Sequence, residues 1–205
     1  MINTGQSVLT EEGGLSACTK RQKLCGYACC KFTAGNWILL LPGEYQQAIQ
    51  QSLQSAHLSF DSSYTEAVCH KPCQKGEFKP LDCSWYPLFP ANQTATKFLV
   101  ADHRKCPIPN HELIAKMLSV QTSALAWELK HAGSLAKIAQ LSRGFVGYLP
   151  FPYKIENGLV QDMSEQEIQD LALAQQLPAD YVCREWTIEQ QGYTASTTPD
   201  DLVDS

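Results

Sequence analysis

The distribution of cysteine constrains this chain more than any other feature of its sequence. The 205 residues include nine cysteines, and eight of them lie within residues 18–106. Thiols at this local density usually form a framework, either through disulfides or through metal ions. The ninth, Cys183, alternates with strand-like neighbours, which favours a buried free thiol. The eight clustered cysteines are Cys18, Cys25, Cys29, Cys30, Cys69, Cys73, Cys83 and Cys106.

The sequence favours metal ligation over disulfides. Residues 1–15 lack the basic start and apolar stretch that are typical of a secretory signal. The longest purely apolar run, residues 37–41, is far shorter than the roughly 20 residues of a membrane helix. We therefore expect a cytoplasmic protein without membrane contact, in which dense cysteines are more often metal ligands or redox groups.

Basic residues accompany the clustered cysteines, although the net charge of the chain is −5. Residues 1–106 carry ten Lys or Arg against eight Asp or Glu, whereas residues 107–205 carry six against thirteen. Because thiolates around a metal leave excess negative charge, these cations can balance a metal centre. Solvated surface positions are the alternative, and the acidic chain argues against nucleic-acid binding.

The first group of cysteines favours a polynuclear centre. The spacing of Cys25 and Cys29 lets both sulfurs reach one metal. Cys29 and Cys30 are adjacent in sequence, so both can bind one mononuclear tetrahedral ion only with strain. Two metals or a cluster suit adjacent ligands better.

The second group is more widely spaced. Cys69 and Cys73 lie in CHKPC, Cys83 in PLDCSWYPLFP and Cys106 in DHRKCPI. The prolines around these cysteines stiffen the loops and reduce the entropy lost when they close around a metal. The eight thiolates together can hold two zinc ions, or one 4Fe–4S cluster with four thiols left over. The adjacent pair in the first group makes an iron–sulfur cluster our first expectation, with zinc as the alternative.

The pattern of apolar residues predicts an α+β fold: a small single domain organised around a multi-cysteine metal centre, with a helical C-terminal extension. Ser164 and Glu167 are spaced as a capping box that begins the last helix. Residues 61–81 are expected to be irregular. The expected helices are 44–57, 111–131, 134–142 and 165–177, and the expected strands are 37–41, 98–101, 145–149 and 181–188.

The same pattern divides the chain into three parts. Residues 1–14 are expected to be a flexible N-terminus, and residues 189–205 a disordered acidic tail. Residues 15–188 are expected to form one metal-binding domain. Its two portions are a cysteine-cluster core (18–106) and an α+β extension (107–188).

Histidines are weaker candidates than cysteines for the ligand set. His70 lies inside CHKPC and His103 lies three residues before Cys106, but surface positions are commoner for such residues. His57 falls at the end of an expected helix, where an imidazolium suits the helix dipole. No histidine is therefore included among the expected ligands.

Taken together, these motifs resemble the YkgJ-like family of cysteine-cluster domains, described as chelating zinc or iron. The resemblance covers about residues 15–110 and implies eight metal-binding cysteines. The family often has Arg-Pro where this chain has Lys79-Pro80. The matching features are Cys25, Cys29, Cys30, LPGE at 41–44, Cys69, Cys73, PLDCSWYPL with Cys83, and Cys106 before Pro107.

The main functional hypothesis is a cytoplasmic protein that holds an iron–sulfur cluster, zinc or both, in a structural or redox role. Two alternatives stay open. Lysine N-methylase relatives within the resembled family imply an enzyme or accessory protein for protein or peptide modification. The acidic second half of the chain favours an adaptor for a basic protein partner. The sequence identifies no catalytic residue and no phosphate-binding loop.

Overall fold

A computed structural model describes residues 38–71, 73–74, 76–102, 106, 108, 110–141 and 147–177. These residues form a mixed α/β domain with two antiparallel sheets and five helices. Several expectations lie outside the described residues. They concern Cys18, Cys25, Cys29, Cys30, His103, Cys183, the strand 181–188 and the two terminal segments 1–14 and 189–205.

The first sheet contains β1 (Ile38–Leu39), β2 (Leu58–Phe60) and β3 (Glu66–Cys69), in the order β1-β3-β2. Its central strand falls within residues 61–81, which were expected to be irregular. The turn between β2 and β3 is organised by Asp61, whose Oδ1 accepts hydrogen bonds from the backbone N–H groups of Thr65 and Glu66, both at 2.8 Å. An Asp side chain that binds backbone groups a few residues ahead is a common way to close a tight turn.

Two short helices adjoin this sheet, α1 (Glu44–Gln50) and α2 (Leu81–Trp85). The expected helix 44–57 is wrong in its second half, because α1 ends at Gln50. His57 therefore lies outside the helix, at the entrance to β2.

The second sheet joins the two portions of the chain. It contains β4 (Leu88–Pro90), β5 (Lys97–Ala101), β6 (Tyr148–Glu156) and β7 (Leu159–Asp162), in that order. The pairing of β5 with β6 links the cysteine-rich portion to the C-terminal portion. The C-terminal extension thus contributes two strands as well as helices.

The remaining helices are α3 (Asn110–Lys130), α4 (Ser134–Leu141) and α5 (Glu165–Ala174). The buried residues of α3 recur at three- and four-residue intervals, as expected for a helix with one face against the core. The predicted capping box at the start of α5 is confirmed. None of the helices in the described ranges has the length and apolar character that a membrane span requires. The buried residues of α3 are Leu113, Met117, Val120, Ala124 and Trp127.

Candidate functional site

Strand pairing in the first sheet places a histidine beside a cysteine. His57 directly precedes β2 and Cys69 is the last residue of β3, and the antiparallel register pairs Leu58 with Cys69. The pairing extends one step further, because the His70 backbone N–H donates to the His57 carbonyl at 2.8 Å. One end of this hairpin thus carries both an imidazole and a thiol.

The loop that follows β3 returns a second thiol to the same place. The Cys69 thiol donates to the carbonyl of Lys71 at 2.9 Å, and this contact turns the chain back. The Phe78 backbone N–H then donates to the carbonyl of Gln54 at 2.8 Å and fixes the far end of the loop. As a result, the Cys73 Sγ lies 3.3 Å from the His57 Nε2.

Glu77 lies on the opposite side of the His57 ring. Its Oε2 is 3.4 Å from the His57 Nδ1, and the same oxygen accepts the Gln74 backbone N–H at 2.8 Å. His57 is fully buried and Glu77 is only 8% exposed. The His57 Nδ1 makes no hydrogen bond of normal geometry. Burial lowers the pKa of His57 below its ordinary value, although Glu77 opposes this shift, so the neutral imidazole is favoured.

The thiols of Cys69 and Cys73 influence each other. The interaction with Cys73 lowers the pKa of Cys69 to about 7. The same interaction raises the pKa of Cys73 far above its ordinary value. The lowered pKa favours the thiolate form of Cys69, and thiolate is the form that ligates metals and attacks disulfides.

A third expected ligand, Cys83, lies in α2. It interacts electrostatically with both Cys69 and Cys73. Its own pKa is raised well above the ordinary value, first by burial and then by the neighbouring Asp82. Lys79 acts in the opposite direction on both Cys73 and Cys83. This lysine thus supplies the kind of charge compensation that the sequence suggested.

Two acids, the buried Glu44 and the half-buried Asp82, connect α1, α2 and β1. Glu44 accepts the backbone N–H groups of Leu41 and Leu81, each at 2.6 Å, and Asp82 accepts that of Leu39 at 2.7 Å. Burial raises the pKa of Glu44 to about 8 and that of Asp82 to about 7. In the LPGE and PLDC motifs, these acids therefore anchor the backbone around the site.

The fourth described cysteine is in a different setting. Cys106 follows β5 and is buried in the main hydrophobic core, and its backbone N–H donates to the carbonyl of Asp102 at 3.0 Å. None of the four described cysteines is in a disulfide. Within the part of the chain that the structure describes, no three His, Cys, Asp or Glu side chains are arranged to hold a metal ion.

His57 is the site residue that sequence reasoning missed. Its assignment to a helix end followed from the apolar positions Leu53 and Ala56, which fit helical spacing. The early end of α1 and the pairing of β2 with β3 place it in the site instead. A fully buried histidine in a polar neighbourhood is not visible as such in the sequence.

Comparison with known proteins gives no match: no family model, no curated protein and no solved structure is similar to this chain. The function must therefore be argued from the site itself. Thiols next to a neutral imidazole offer soft sulfur and borderline nitrogen donors, the donor types that zinc and iron bind in proteins.

Proposed function

We propose that this protein binds a metal centre, an iron–sulfur cluster or zinc, through its clustered cysteines, and that the centre has a structural or redox role. The proposal includes membership of the YkgJ-like cysteine-cluster family. It also includes a cytoplasmic location, because the described cysteines are free and a reducing compartment keeps them so.

The observation that carries the proposal is the contact of Cys73 with the buried His57, whose Nε2 lies 3.3 Å from the Cys73 Sγ. Cys69 at the end of a strand and Cys83 on a helix both raise the pKa of Cys73. Thiols that serve only as small apolar groups need neither a buried imidazole nor one another. A common ligand gives a physical reason for both features.

The donor set also fits a metal. The buried Nδ1 of His57 lacks a hydrogen bond and Glu77 faces it, so a small rotation of either side chain completes a carboxylate–histidine pair. Such pairs orient metal-binding imidazoles in many proteins. A metal ion would bind these thiols as thiolates and release their protons.

The proposal is tested with the double variant Cys69→Ser/Cys73→Ser of the full chain. We expect it to lose metal and to unfold several kcal/mol more easily than the wild type, because metal affinity adds to folding free energy. Metal content per chain and urea denaturation measure the two effects. Cys183→Ser is the control, since it makes the same chemical change outside the clustered cysteines.

Comparison of the wild type and the double variant without metal separates the effect of metal ligation from the effect of side-chain packing. If the thiols act through a metal, the stability difference between wild type and double variant should largely disappear after chelation. Unchanged metal content in the double variant, or an equal stability difference with and without chelator, would contradict the proposal.

A further inference from the structure

The closest contact of a thiol with a histidine in the described site involves a residue that the expected ligand set omits. The His57 Nε2 lies 3.3 Å from the Cys73 Sγ. A tetrahedral zinc ion with Zn–S of about 2.3 Å and Zn–N of about 2.0 Å holds its sulfur and nitrogen ligands roughly 3.5 Å apart. The observed separation is therefore close to that of two ligands on one ion.

The thiols of Cys69 and Cys73 also favour a single ion. Each thiol shifts the pKa of the other, so the two side chains are neighbours. In a cubane cluster each iron takes its own cysteine, so the cluster holds the ligand sulfurs apart. Neighbouring thiols are better suited to adjacent corners of one tetrahedron.

The surroundings of His57 are those of a metal-binding imidazole. The ring is fully buried, its Nε2 faces a thiol, and its Nδ1 faces a carboxylate of Glu77 at 3.4 Å. Metal-binding histidines commonly present one nitrogen to the metal and the other to a carboxylate. A buried histidine that served only packing would have no need of a thiol on one side and a carboxylate on the other.

His70 provides the contrasting case within the same hairpin. It lies one residue after Cys69 in the sequence, but it is exposed and its Nε2 contacts the Ser59 Oγ at 2.6 Å. Sequence position favours His70 as a ligand, whereas burial and contacts favour His57.

We propose that His57 is a metal ligand, with its Nε2 binding the same zinc-type ion as Cys69 and Cys73, and with Glu77 orienting the ring. Cys83 is the further described thiol available to this ion. The proposal rests on the metal-binding function proposed above and narrows it to a mixed nitrogen and sulfur site in the second group of cysteines. Side-chain rotations are required, because the described residues are not already arranged around an ion.

The test uses the full chain loaded with Zn²⁺, and measures zinc X-ray absorption and zinc affinity by competition with a chelator. We expect imidazole scattering in the wild type and in His70→Gln, and its loss in His57→Gln. Zinc affinity should fall at least about tenfold in His57→Gln and remain unchanged in His70→Gln. A readout of ligand identity separates ligation from a purely structural role.

A second variant keeps the test decisive if His57→Gln does not fold. In His57→Cys a thiol replaces the imidazole, so we expect zinc binding with all-sulfur scattering. All-sulfur scattering in the wild type, or imidazole scattering that persists in His57→Cys, would overturn the ligand role while leaving metal binding intact. A wild-type chain that binds neither zinc nor iron would instead overturn the proposed function itself.

Discussion

Gly43 is fixed by two independent constraints at the start of α1. Its φ is +86°, a left-handed value that residues with a Cβ adopt at a cost of about 1–2 kcal/mol. A Cβ at this position would also overlap the ring of His131. The glycine of LPGE thus reflects the packing of α1 against the end of α3, and it needs no metal to explain it.

These two constraints can be separated by experiment. Gly133 has φ +87° but open space where a Cβ would lie, so Gly133→Ala measures backbone strain alone. We expect Gly43→Ala to lower the free energy of unfolding by a further 1–3 kcal/mol or so beyond Gly133→Ala, because overlap in a packed region adds to the strain. Equal losses in urea denaturation would show that His131 moves aside freely.

Glu44 should make the stability of the protein depend on pH. Its pKa is raised from 4.5 to about 8 in the fold, chiefly by burial. The folded protein therefore holds this proton more tightly than the unfolded chain. The resulting stability is fully present below about pH 4.5 and is lost as pH rises through about 8.

Glu44→Gln isolates this contribution. Wild-type stability relative to the variant should fall by roughly 3 to 5 kcal/mol between pH 5 and pH 9. The variant lacks the titration, although its amide can accept only one of the two backbone N–H groups that Glu44 accepts. Glu165→Gln is the control, because Glu165 is exposed at the first position of α5. Parallel profiles for wild type and Glu44→Gln would contradict the assigned shift.

At the scale of helices and strands, the sequence predicted well those elements that depend on local signals. The long helix 111–131 and the capping box of Ser164 and Glu167 are confirmed, since both depend on residues within a few positions of one another. Strand β3 was missed because it is short and only Ala67 in it is fully buried. Its place in the sheet depends on partners in two other strands, such as Leu58 for Cys69 and Ile38 for Ala67.

The helices expected at 44–57 and 165–177 end early, at Gln50 and Ala174, and both ends have one physical cause. After α1, the Leu53 N–H donates to the Ala48 carbonyl and the Ser52 N–H donates to the Ile49 carbonyl. These two hydrogen bonds together define a Schellman motif. The left-handed position of that motif is Ser52, with φ +54°. α5 ends in the same way with Gln176 at φ +59°. Glycine normally marks this position, so its absence hid both ends.

A serine at the left-handed position of a helix end predicts a stabilising mutation. Ser52→Gly should raise the free energy of unfolding by about 0.5–1 kcal/mol, because glycine relieves the left-handed strain. Ser119→Gly, at an exposed position inside α3, should instead lower it by about 1 kcal/mol. Changes of the same sign in the two variants, measured by urea denaturation, would contradict the assignment of the motif.

At the scale of the whole molecule, the site is made by tertiary pairing that composition cannot reveal. The sequence predicted Cys69, Cys73 and Cys83 as ligands from their density, spacing and resemblance to a family, and the three thiols influence one another electrostatically. His57 joined Cys73 only through the register of β2 and β3 and the loop that follows β3. The ligand role of all eight clustered cysteines stays a prediction, and Cys106 lies in the hydrophobic core.

The second sheet shows why the two portions of the chain should respond together to metal. β4 and β5 belong to the cysteine-rich portion, and they form one sheet with β6 and β7. One hydrophobic core contains residues of both sheets and of α3. Stabilisation of the cysteine loops by a metal is therefore expected to reach the whole domain.

The most direct test of metal binding is elemental analysis of the full chain purified without oxygen, with iron, zinc and acid-labile sulfide each measured per chain. We expect at least one equivalent of zinc, or iron and sulfide in cluster proportions with brown colour, and thiols that react fully only after chelation and unfolding. A colourless chain with no stoichiometric metal, whose cysteines react freely without chelator, would contradict the account.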